Sequence, residues 1–167
     1  MQVLKDGAWE MAEMREMELH LLSSIAVAAD ISGHDKARRR LFPDRATADE
    51  EEGGEDWKEF VVPDLERAFK DAIEIVNGDL AAVERAVKEG EEVFSVKVPI
   101  DHTEQWYSAL NQARLALGEK YDLPVSEEEF LAESAVFDDR WLAGAQSHLY
   151  AVIQTFLLET VMGASGP

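Results

Sequence analysis

Apolar positions return at helical spacing in four stretches of the chain. Trp106, Leu110, Ala113, Leu117 and Tyr121 recur every three or four residues and predict a helix with one buried face. Met14, Met17, Leu21, Ile25 and Ala28 predict a first helix that ends near Asp30-Ile31-Ser32-Gly33. Leu65, Phe69, Ala72, Ile73, Val76, Leu80, Val83 and Val87 carry a third stripe as far as Gly90. Pro63 suits that helix's first turn, and Asp64 and Glu66 complement the positive end of its dipole. Asn77-Gly78-Asp79 interrupts the stripe, which reads as one kinked helix or two. A last helix begins at Asp138-Asp139. From Leu149 to Met162 it is apolar nearly all round, relieved mainly by Gln154, Thr155, Glu159 and Thr160. That run is too short to span a bilayer, so it predicts a central core helix or an oligomer contact. The core reading is preferred, because a bundle needs one helix surrounded by the others.

Two stretches alternate instead. Gln2 to Lys5 and Ala8 to Ala12 flank Asp6-Gly7, a dipeptide suited to a two-residue hairpin turn, with Trp9 and Met11 on one face. Phe94, Val96 and Val98 alternate with Ser95 and Lys97. This strand has no evident sequence-adjacent partner, so the N-terminal hairpin is its expected neighbour. Asp101 or Thr103 can cap the Trp106 helix, and Leu123 to Glu127 reads as a linker leading to a short acidic helix. Asp49 to Asp56 holds six acids and two glycines, and like-charge repulsion predicts a mobile loop. The expectation is a mainly α, single-domain helical bundle over residues 1–162. It has a small antiparallel sheet (the N-terminal hairpin plus one strand near residues 93–98), an acidic flexible loop at 47–56 and a short tail at 163–167.

Composition narrows the function. The 167 residues suit one domain, and zero cysteines exclude disulfides, thiolate metal sites and thiol nucleophiles. A formal net charge of −19 repels phosphate backbones and anionic membranes, which argues against nucleic acid and membrane partners. No apolar run is long enough for a membrane span, and Met1 to Gly7 shows no signal-peptide pattern, so a cytoplasmic location is expected.

Catalytic chemistry is hard to find. None of His20, His34, His102 and His148 has a glutamate three residues before it, and no His-Glu-x-x-His run exists. The acids at 49–56 lack the alternating order of a calcium loop. No enzyme, metal or cofactor is therefore expected. Lys36, Arg38, Arg39 and Arg40 form a basic patch that reads as pairing with the nearby acidic loop; the rival reading is a transcriptional regulator that uses it on DNA. Asn111 and Arg114 lie three apart beside the Trp106 stripe. They form a structural pair, in which Arg114 needs a carboxylate partner, or a polar pocket for a peptide terminus or an anionic small molecule.

Leu41-Phe42-Pro43-Asp44, Leu110-Asn111 with Arg114-Leu115-Ala116-Leu117-Gly118, and Trp141-Leu142-Ala143-Gly144 with Gln146 follow the N-terminal hairpin in order. In these segments the chain resembles bacterial domain-of-unknown-function family twenty-seventeen, whose members are often encoded beside the Clp protease adaptor ClpS. The resemblance implies a compact, mainly helical cytoplasmic protein with no family-wide catalysis and a regulatory or quality-control setting. The expected function is a non-enzymatic protein-interaction or regulatory protein with an unidentified protein partner, a Clp component being one candidate; the alternatives are a transcriptional regulator and a small-molecule sensor. The expected contact surface is the groove beside Asn111 and Arg114 or the face near Trp141 and Gln146, and self-association would use the last helix.

Overall fold

In a computed structural model, residues 1–4, 7–42, 57–124 and 137–163 are described. The acidic loop expected at 47–56, the short helix expected beyond Pro124 and most of the tail lie outside these residues. Among the described residues are strands β1 (Gln2–Val3), β2 (Ala8–Met14), β3 (Glu84–Lys88) and β4 (Glu91–Pro99). The helices are α1 (Glu16–Ser23), α2 (Ile25–Ala29), α3 (Asp35–Leu41), α4 (Val62–Ala81), α5 (Thr103–Tyr121) and α6 (Asp139–Phe156). A π-helical turn at Trp57–Val61 leads into α4, and another at Leu157–Met162 extends α6. The protein is mainly α with a small antiparallel sheet, as the periodicities predict.

The sheet runs β1-β2-β4-β3, antiparallel throughout. Gly7 takes φ +79° between β1 and β2, and Trp9 and Met11 share the buried face. They oppose Val98 and Val96, so apolar cross-strand pairs face the helices. Met14 opposes Phe94 only because the register shifts after Met11 and Glu13 adopts φ +58°. A three-residue step would otherwise turn Met14 outward, and the bulge returns it to the core.

Three expectations change. The stripe ending at Val87 is not one element: α4 stops at Ala81, and residues 84–88 form β3, paired in register with β4. Glu89 (φ +55°) and Gly90 (φ +88°) make the two-residue turn that favours this hairpin, so β4 has neighbours on both sides. The first predicted helix breaks at Ser24 into α1 and α2. The central helix is α5, which packs against α2, α3, α4 and α6, whereas α6 and its π-helical extension leave Leu142, Val152 and Leu158 exposed.

The buried face of α5 holds Trp106, Ala109, Leu110, Ala113, Ala116 and Leu117, while Tyr121 lies at the surface. The alanines let neighbouring helices approach closely. Trp106 meets Trp9 edge-on, with centroids 5.4 Å apart, tying α5 to the sheet. Its indole donates to Asp79 Oδ2 at 2.8 Å, and His102 Nδ1 lies 3.0 Å from both Asp79 oxygens. Asp79 thereby joins the end of α4 to the start of α5. Neither Asp101 nor Thr103 caps α5; Thr103 Oγ1 donates back to Ile100 at 2.6 Å across a 3₁₀ turn. Asp138 does cap α6, accepting from the Trp141 amide at 2.8 Å.

At the α1–α2 break, the Leu21 carbonyl accepts from Gln146 Nε2 at 2.9 Å and from the Tyr150 hydroxyl at 2.8 Å, and Gln146 also donates to Tyr150 at 2.7 Å. Burial pushes the Tyr150 phenol well above its ordinary value, although the Gln146 hydrogen bond opposes the shift. The neutral phenol is thus favoured in the fold, and the unfolded chain releases its proton first as pH rises.

Replacing Ala113 with Leu should lower stability by about 1–3 kcal/mol in urea denaturation, through overpacking. Above pH ~10 the native protein should lose stability by about 1.4 kcal/mol per pH unit more steeply than Tyr150→Phe. Parallel slopes for the two proteins would show that Tyr150 ionises freely in the fold.

Candidate functional site

Helix α5 turns one shoulder toward α3, and a groove of about 330 Å³ opens there. Lys36 and Arg40 of α3, Asn111, Arg114 and Glu119 of α5, Asp122, Pro124 and Ser147 of α6 contribute to its walls. The helical spacing thus brings Asn111 and Arg114 to one cavity. Asn111 is exposed and Arg114 half-buried.

The expected carboxylate partner of Arg114 is replaced by an amide. Arg114 Nη1 donates to Gln154 Oε1 at 2.7 Å, and Gln154, itself buried, donates from Nε2 to the Tyr107 carbonyl at 3.2 Å. Among the described residues no carboxylate pairs with Arg114, and its Nε is closed to solvent without a hydrogen-bond partner. A buried donor left in this way costs on the order of 1–3 kcal/mol. Gln154 is a site residue that the periodicity alone does not single out. The available signal was an amide set inside an otherwise apolar run.

The basic patch divides. Lys36 Nζ lies 3.2 Å from Glu119 and 3.5 Å from Asp122, and hydrogen bonding to Glu119 raises its pKa. Arg38 pairs with Glu66 at 2.6 Å and lies over the Phe42 ring. Both residues therefore fasten α3 to helical neighbours; the loop expected to pair with them is outside the described residues. Arg39 and Arg40 are exposed and make no ion pair among the described residues, and only Arg40 of these two faces the groove.

Trp141 and Gln146 do not share a surface. Five residues apart on a helix they point in widely different directions. Trp141 is half-buried against Phe137, which is 84% exposed. Gln146, expected as a surface contact, is only 7% exposed because its amide satisfies the Leu21 carbonyl. Of the two, only Trp141 reaches the surface.

A second, more open cleft of about 400 Å³ runs between α2, α3 and α4, walled by Ile31, Phe42, Phe69 and Ile73. Among the described residues no group of three or more His, Asp or Glu side chains is placed to hold a metal ion, and no helix is long and apolar enough to cross a membrane.

No curated protein and no solved structure matches the chain. A family model described as a domain of unknown function (DUF2017) matches residues 2–165, nearly the whole chain, and the protein belongs to that family.

Proposed function

We propose that this chain is a non-enzymatic protein-interaction or regulatory protein whose contact surface is the α3–α5 groove. The supporting observation is Arg114: a half-buried guanidinium facing a cavity, with an amide and no carboxylate as its partner among the described residues. A side chain kept only for packing would gain by becoming apolar, since an incompletely paired buried charge is costly. Its position is better suited to a group brought by a partner.

Control of Clp proteolysis is the setting that the family resemblance suggests, and a cytoplasmic location goes with it. Self-association within this reading would use the last helix, where Leu142, Val152 and Leu158 are exposed. The transcriptional-regulator reading is weaker, because Lys36 and Arg38 are engaged by acids of the protein itself and the net charge opposes DNA.

A photo-crosslinking residue at Asn111 should yield a discrete protein adduct in native lysate. The same residue at Val87, exposed on β3, should not. Adducts of equal yield and pattern at both positions, or none at 111, would remove the groove as the contact surface.

A further inference from the structure

We infer that the α3–α5 groove is a carboxylate-binding site, taking a single anionic carboxylate from a peptide C-terminus or a small organic acid. The inference rests on the groove being the functional surface and adds the chemistry that it recognises. Three cationic side chains line the cavity, and they are not equivalent. Lys36 is neutralised by Glu119 and Asp122. Arg40 and Arg114 have no carboxylate partner among the described residues, on a chain that carries 35 acidic residues against 16 basic ones. In so acidic a protein, two guanidinium groups that form no ion pair among the described residues, although Glu119 and Asp122 line the same cavity, mark the place for an external acid.

Guanidinium groups match a planar carboxylate through paired N–H donors. Asn111 and Ser147 on the walls add neutral hydrogen-bonding groups, and the volume falls within the range of small-ligand sites. Glu119 and Asp122 set the charge of the ligand. Their carboxylates line the same groove, so a dianionic phosphate meets more repulsion there than a monoanionic carboxylate. Arg114 is held at Nη1 by Gln154, which keeps the guanidinium oriented before any ligand arrives.

The test is a nitrogen-15 NMR titration that follows the Nε–H resonance of Arg114, assigned by its loss in Arg114→Lys. The probes are N-acetyl-dialanine as free acid, the same compound as its amide, acetate, inorganic phosphate and sodium chloride at matched ionic strength. The free acid should shift the resonance saturably with a dissociation constant on the order of 1 mM, the amide should not, and phosphate should bind more weakly. Arg40→Ala, at an exposed position that should not disturb folding, should weaken the acid about tenfold. Tighter binding of N-acetyl-dialanine than of acetate would support a peptide terminus as the source; equal binding would support a small acid. A response to acid and amide alike, or only the drift that sodium chloride produces, would overturn the inference. If the crosslink at Asn111 persists in that case, the groove still contacts a protein, by chemistry other than a carboxylate.

Discussion

The burial of one face of α5 organises the rest of the protein. Trp106, Leu110 and Leu117 leave water together, each contributing about 1.5–3 kcal/mol, and Ala109, Ala113 and Ala116 let other elements come close enough to cover them. The sheet presents Trp9 to Trp106, α4 sends Asp79 to the same indole, and α2, α3 and α6 close the remaining sides. A helix enclosed in this way presents little free surface. The polar shoulder carrying Asn111 and Arg114 opens on the α3–α5 groove.

That constraint explains how a charged side chain is held without an ion pair. Arg114 cannot swing freely, since Gln154 grips one amino group and is itself anchored to Tyr107 about two turns back along α5. On the opposite wall α3 is fixed by Lys36 to Glu119 and by Arg38 to Glu66, so Arg40 is carried on a braced helix. The strongly acidic surface does not steer anions toward this groove. Recognition there depends on contact, which favours selectivity over rapid capture.

The alternating hairpin and the α5 stripe were legible because spacing, turn residues and side-chain size agreed at Gly7, Trp9, Met11 and Trp106. The third stripe misled because Val83 and Val87 continue the i, i+4 spacing by coincidence; both belong to the edge of the sheet region, and the informative signal was Glu89-Gly90. Gln146 and Gln154 were illegible for a different reason. Whether an amide in an apolar helix meets solvent or a buried carbonyl depends on a partner far away in the chain, here Leu21 and Tyr107. The break at Ser24 that leaves the Leu21 carbonyl for Gln146 and Tyr150 is likewise a tertiary outcome. The site was half legible: spacing placed Asn111 and Arg114 on one shoulder, but the nature of Arg114's partner required the fold.

If Arg114 is retained for binding and contributes little to folding, its removal together with Gln154 should cost little stability. The most direct measurement is urea denaturation of the double variant Arg114→Met/Gln154→Leu beside the unmodified protein. Replacing both partners by apolar groups of similar shape should leave stability within about 1 kcal/mol. A loss of about 3–5 kcal/mol would contradict this, showing that the polar pair holds the fold together.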